Sequence, residues 1–252
     1  IERGSIKKLA IIQEIEKPLG IDPSRRAFGF QFPVVSAGAT YAPKMVWGFA
    51  TVENDGSAYF QVPSGLPLFF QALDDQGMAL QTMRSLTYVQ PGQTLACLGC
   101  HESRSAAPTE RMPLALTRPP SKIRFGPYGT WPLRFDQLVQ PVLDERCVSC
   151  HAAGADHPSA VATRLDTGYA WQTLLSYAEN DLADLVFERD ASIPKDTPAR
   201  QSRLMQYLQT DRLHREIEMT TSDRQRLSVW MDTYGQLQGA FSVEQEQQLA
   251  DL

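Results

Sequence analysis

The chain has 252 residues, 24 of them Lys or Arg against 29 Asp or Glu, for a net charge of −5, with 42% hydrophobic and 21% charged residues. No apolar run approaches the ~20 residues that span a bilayer, and an acidic balance without a polybasic stretch excludes a nucleic-acid partner. The length favours two domains over one.

Residues 1 to about 95 read as β structure. Ile6 to Ile15 fits a strand at a sheet edge or a short helix, because ten residues of apolar pattern do not separate the two. Met45 to Val52 is rich in β formers, Asn54-Asp55-Gly56-Ser57 supplies a turn, and Ala58 to Val62 begins the next run, so a hairpin is expected. Pro63-Ser64-Gly65 then breaks the chain before the run Leu68–Leu73, another turn at Asp74-Asp75-Gln76-Gly77 and the run Met78–Met83. Several short strands with polar turns predict a small β-sandwich.

Residues 103–132 carry Pro108, Pro113, Pro119, Pro120, Pro127 and Pro132 with few periodic apolar positions, as a surface linker does. Beyond it the period changes. Phe135, Leu138, Val139, Val142 and Leu143 recur with helical spacing and lead into Cys147. Ser202 to Leu213 reads as a helix, and Thr220-Thr221-Ser222-Asp223 offers N-cap candidates for another that carries Leu227, Trp230, Met231 and Tyr234. The expected architecture is α+β. A β-sandwich-like domain over 1–102 ends in one chemical motif, a proline-rich linker spans 103–132, and an α-helical cytochrome c-like domain over 133–252 holds a second motif.

The motifs are Cys97-Leu98-Gly99-Cys100-His101 and Cys147-Val148-Ser149-Cys150-His151, both C-x-x-C-H. In c-type haem attachment, two thiols at this spacing add across the vinyl groups of one porphyrin, and the adjacent histidine ligates the iron. Two C-x-x-C pairs roughly fifty residues apart also suit a four-thiolate zinc site. Each pair, however, is followed at once by one of only 4 histidines in the chain, which favours two covalently bound haems over zinc or thioredoxin-like chemistry. All 4 cysteines are then used, which excludes structural disulfides.

His101 and His151 are the proximal ligands by motif, leaving His157, His214 and 7 methionines for the distal positions. Met219 is an alternative for the second haem, against a plain role in core packing. Met83 and His157 are candidates for the first, against a core methionine and an exposed loop histidine. Trp47, Trp131, Trp171 and Trp230 invite an electron relay but read more simply as packing. Arg84 and Arg104 suit haem propionates or an ordinary surface equally. Phosphate cradles, hydrolase elbows and zincin motifs do not occur.

Asp55-Gly56-Ser57-Ala58-Tyr59-Phe60, Pro67 to Asp74, Met83-Arg84-Ser85 and Cys97 to Glu102 resemble the C-terminal half of hydrazine synthase alpha subunit-like proteins. Phe135-Asp136, Pro141 to Asp144 and the second motif resemble the cytochrome c domain that follows in that family, so the likeness runs roughly from Trp47 to Phe241. The family often carries a β-propeller before this region, so the chain is expected to be a truncated relative or an excised piece. The resemblance implies two histidine ligands on the second haem, the distal one from just before the final helix, where His214 stands. The plainer role for His214 is that of a solvated histidine at a polar helix end. In hydrazine synthase a tyrosine four residues after the first motif histidine is an axial ligand and that histidine serves a zinc. Ser105 occupies this position here, which returns His101 to the role of proximal ligand.

The reading is a dihaem c-type cytochrome that transfers single electrons between redox partner proteins. The alternative is a haem enzyme with an open site at the first haem, acting on peroxide or a small nitrogen compound. Further multihaem subunits or self-association are expected partners. Ile1-Glu2-Arg3-Gly4-Ser5 contains no secretory leader pattern. Haem attachment nonetheless occurs outside the cytoplasmic membrane, so a periplasmic or extracellular setting is expected, with a leader removed.

Overall fold

The computed structural model describes residues 1–18, 34–37, 42–99, 111–126, 132–156, 163–186 and 192–250. Cys100, His101, Arg104, Ser105, Trp131 and His157 lie outside the described residues.

The strands are β1 (Lys8–Glu14), β2 (Lys44–Thr51), β3 (Leu68–Leu73) and β4 (Ala79–Thr82), joined in one antiparallel sheet of order β2-β1-β3-β4. The segment Ile6–Ile15 is thus a strand, and a central one. Its residues Ala10 to Gln13 are buried on both faces, as a strand covered from two sides requires. Ala10 and Ile12 join the main core, while Ile11 turns to a second apolar layer with Ala50, Leu68, Phe60, Val62 and Ile123.

The expected first hairpin does not form. β2 pairs with β1, Ile11 opposite Gly48, and the run after the Asn54–Ser57 turn touches the structure through a parallel bridge from Phe60 to Ser121. The turn at Asp74–Gly77 lies where expected and closes a hairpin: β3 and β4 pair across it, and the Asp74 carboxylate accepts from the backbone of Gln76 and Met78, both at 2.9 Å.

The helices are α1 (Phe135–Leu138), α2 (Gln140–Arg146), α3 (Ala170–Val186), α4 (Pro198–Gln201), α5 (Arg203–Thr210), α6 (Thr221–Asp232) and α7 (Val243–Ala250). The apolar faces of α1 to α6 share one core with the sheet, whereas α7 buries none of its residues. Leu227, Trp230 and Met231 of α6 and Leu138, Val139 and Leu143 around α1 and α2 lie in the same buried cluster as Ala10, Ile12, Val46, Phe69 and Ala79.

The expected fold class is therefore corrected. A single small antiparallel sheet with helices replaces the β-sandwich followed by a helical cytochrome c domain. Among the described residues the second face of the sheet is covered by irregular chain around Phe60, Val62 and Ile123 rather than by another sheet, and α1 to α6 bury their apolar residues on the first face. The signals for short strands and amphipathic helices were sound, but amphipathic patterning does not say which surface a face is buried against.

The described part of the proline-rich segment is fastened to the strands. Phe49 and Arg124 exchange backbone hydrogen bonds of 2.7 and 2.9 Å, and Leu133 donates to the Lys44 carbonyl at 2.7 Å. No helix among the described residues is long and apolar enough to cross a membrane.

Candidate functional site around His151 and His214

α2 delivers the second motif. Pro141 sits in its first turn, where a missing N–H costs nothing, and the chain winds on past Arg146, with Cys147 and Val148 both donating to the Leu143 carbonyl at 2.8 and 2.9 Å. Cys150 and His151 then donate to the Cys147 carbonyl at 3.1 and 3.0 Å. The motif is thus a helical turn, and residues three and four apart on such a turn share a face, which groups Cys147 with Cys150 and His151. The Arg146 guanidinium meets the Asp223 carboxylate of α6 at 3.1 Å and ties the approach to the motif to the helix opposite.

His151 is held from the loop that follows. Leu165 donates to its backbone carbonyl at 2.8 Å, and its Nδ1 lies 3.0 Å from the Thr163 carbonyl. A carbonyl only accepts, so Nδ1 is the donor and the lone pair falls on Nε2. The loop is anchored in turn by the buried Gln140 side chain, whose Nε2 donates to the Leu165 carbonyl at 3.0 Å.

His214 opens a short 3₁₀ turn, His214–Glu216, after α5. One carboxylate oxygen of Asp211 accepts from the backbone of Leu213 at 3.0 Å, from the backbone of His214 at 3.2 Å and from the His214 Nδ1 at 2.7 Å. His214 therefore also carries its lone pair on Nε2, and the imidazole bond holds the Asp211 carboxyl below the usual carboxylate range. The Tyr207 ring packs 4.8 Å from His214, centre to centre, and Tyr177 lies 6.1 Å beyond Tyr207. Tyr177 reaches this place because α3 breaks there: Ala178, Glu179 and Asn180 all take left-handed backbone angles, with φ of 53, 64 and 69°.

The two imidazoles meet with ring centres 6.0 Å apart and planes 39° from one another. A metal bonded at about 2.0 Å to one nitrogen of each of two imidazoles holds the ring centres about 6 Å apart. The spacing, the two Nδ1 bonds and the thiol pair of the motif turn fit a c-type haem, which His151, His214, Cys147 and Cys150 would hold. Burial, and then the neighbouring Cys150, push the Cys147 thiol up to about 11, so it stays protonated near neutrality. Among the described residues no three His, Cys, Asp or Glu side chains are grouped to hold a bare metal ion.

The remaining sequence candidates divide as follows. Met219 packs against the edge of the main core, as do Met83 and Met78. Cys97 is exposed, between exposed Leu95 and Leu98. The Arg84 guanidinium donates to the Tyr234 hydroxyl at 3.1 Å. Trp47, Trp171 and Trp230 pack within the fold and donate to Gln13, the Gly235 carbonyl and the Gln236 carbonyl at 2.9, 3.0 and 2.9 Å, as tryptophans in a core do. Sequence reading missed Asp211, Tyr207 and Tyr177. Asp211 had a legible signal, an acid three residues before a ligand candidate at a turn. The tyrosines had none, since α3 and α5 are brought together only by the fold.

Residues 4–102 match the family model described as the hydrazine synthase alpha subunit middle domain. Hydrazine synthase subunit alpha of Kuenenia stuttgartiensis is 29% identical over 110 residues, 40% of this chain and 13% of that protein. The fold resembles the solved hydrazine synthase of Kuenenia stuttgartiensis with a TM-score of 0.62 at 20% identity, covering 94% of this chain and 40% of that one. The chain thus spans less than half the length of the proteins it matches.

Proposed function

We propose that this chain, whose residues 4–102 match the hydrazine synthase alpha subunit middle domain, is a c-type haem protein that passes single electrons through two covalently bound haems. Cys97, Cys100 and His101 hold the first, and Cys147, Cys150 and His151 hold the second with His214 as the distal ligand. When bound, haem supplies an iron that cycles between ferric and ferrous states at a potential set by its axial ligands and surroundings. The polypeptide holds the two imidazoles at fixed spacing with their lone pairs on Nε2, and it packs Tyr207 against the His214 ring. The facing pair His151 and His214, 6.0 Å apart beside a C-x-x-C-H turn, carries this reading.

The test is the optical and EPR spectrum of purified holoprotein beside H214A. Loss of a low-spin signal in the variant is the expected result. A variant spectrum identical to the parent's removes His214 from the ligand set and passes its role to Met219.

A second reading rests on the relative's name, a subunit of hydrazine synthase. In it, the haem of Cys97, Cys100 and His101 keeps an open coordination position, with Ser105 standing where the family uses a tyrosine, and acts on a small nitrogen compound or peroxide. Cyanide or carbon monoxide that binds rapidly to one haem of the wild-type protein supports this reading, and two haems indifferent to both ligands reject it. Under either reading the setting is periplasmic or extracellular, where haem is attached, and the partners are redox proteins or further subunits.

A further inference from the structure

The two imidazoles of the pair are anchored differently. The Nδ1–H of His151 meets a neutral acceptor, the Thr163 carbonyl at 3.0 Å, while that of His214 meets a carboxylate, Asp211 at 2.7 Å. A hydrogen bond to an anionic acceptor is shorter and stronger than one to a neutral group, and it pushes electron density through the ring onto the atom at its other nitrogen. We propose that Asp211 is a positioning residue that orients His214 and lowers the reduction potential of the second haem through it.

This inference rests on His214 as the distal ligand. The sign follows from charge. A carboxylate hydrogen-bonded to a ligand favours the ferric over the ferrous state, because the extra positive charge on iron is the one it stabilises. The same oxygen also caps the turn by accepting from the backbone of Leu213 and His214. A purely structural Asp211 would hold the turn and leave the potential alone. Tyr207, with its ring centre 4.8 Å from that of His214, limits the rotation of the imidazole on which the bond to Asp211 acts.

The experiment is a redox titration of the holoprotein, followed at the spectral component that H214A removes, in wild type, D211N and D211E. Asparagine keeps an acceptor oxygen for the turn and loses the charge, and glutamate keeps the charge. The expected result is a low-spin D211N whose potential rises by about 59 mV, a tenfold change in the one-electron reduction equilibrium, with D211E returning toward wild type. A low-spin D211N at the wild-type potential overturns the proposal and leaves His214 in place as ligand. If D211N loses its low-spin signal, D211E decides: a recovered spectrum at the wild-type potential supports the proposal, and an equally high-spin D211E overturns it. Absence of any component sensitive to H214A in the wild-type comparison rejects the ligand reading itself, and this one with it.

Discussion

Phe49 and Arg124 bond to each other twice through their backbones, at 2.7 and 2.9 Å, and the approach is possible only because residue 48 is glycine. A Cβ at Gly48 would lie 2.6 Å from the Arg124 carbonyl oxygen, and the backbone there has φ of +146°, which side chains rarely adopt. G48A is therefore expected to destabilise the protein by about 2 to 3 kcal/mol, by strain and by prising residues 123–124 off β2. Chemical denaturation reads this directly. A midpoint unchanged from wild type would show that the contact is not needed.

Asp232 gives the fold a pH dependence of unusual sign for an acid. It is fully buried, and desolvation pushes its carboxyl up to about 7 even though the backbones of Ala199 and Ala79 donate to it at 2.9 and 3.2 Å. A carboxyl raised above its unfolded value holds a proton in the native state that the unfolded chain has lost. Stability from this group is therefore full below about pH 4 and falls as pH rises to about 7. Tm compared at about pH 5 and about pH 7.5 should drop more across that interval in wild type than in D232N, which is expected to be less stable at the lower pH but flatter. Equal slopes in the two proteins would remove Asp232 as the cause.

α6 begins with a reciprocal cap. Thr220 accepts from the Asp223 backbone at 3.1 Å, and the Asp223 carboxylate accepts from the Thr220 backbone at 2.9 Å. T220A should cost about 1 kcal/mol. D223A should cost more, because the same carboxylate holds Arg146 one residue before Cys147. Equal losses in the two variants, measured by thermal unfolding, would mean that the tie between α2 and α6 contributes nothing.

Features encoded within a few residues were legible in the sequence. The β3–β4 turn at Asp74–Gly77, the helical run into Cys147, a helix from about Ser202, though it ends at Thr210 rather than Leu213, and the Thr220–Asp223 cap of α6 all follow from local chemistry and all form. Pairings that join distant segments were not. β2 turns away from the run that follows it because β1, more than thirty residues upstream, offers a longer apolar strand for it to pair with, and nothing near Thr51 records that. The three left-handed residues at 178–180 contain no glycine, so the break in α3 had no marker in the sequence. At the site, the C-x-x-C-H turn was legible from spacing and His214 from family likeness. Thr163, acting through its carbonyl, is invisible to any reading of side chains.

The shared core has a consequence for the order in which the molecule can be made. Ala10 and Ile12 stand more than two hundred residues before the Leu227, Trp230 and Met231 that cover the same core. Contacts of such long sequence separation cannot form until α6 has emerged. Both C-x-x-C-H segments are thus complete while the sheet still lacks α6. That interval is when the half-buried Cys147, which packs against the same core, is most open to a bulky group, whereas Cys97 and Cys150 are exposed in the finished fold as well.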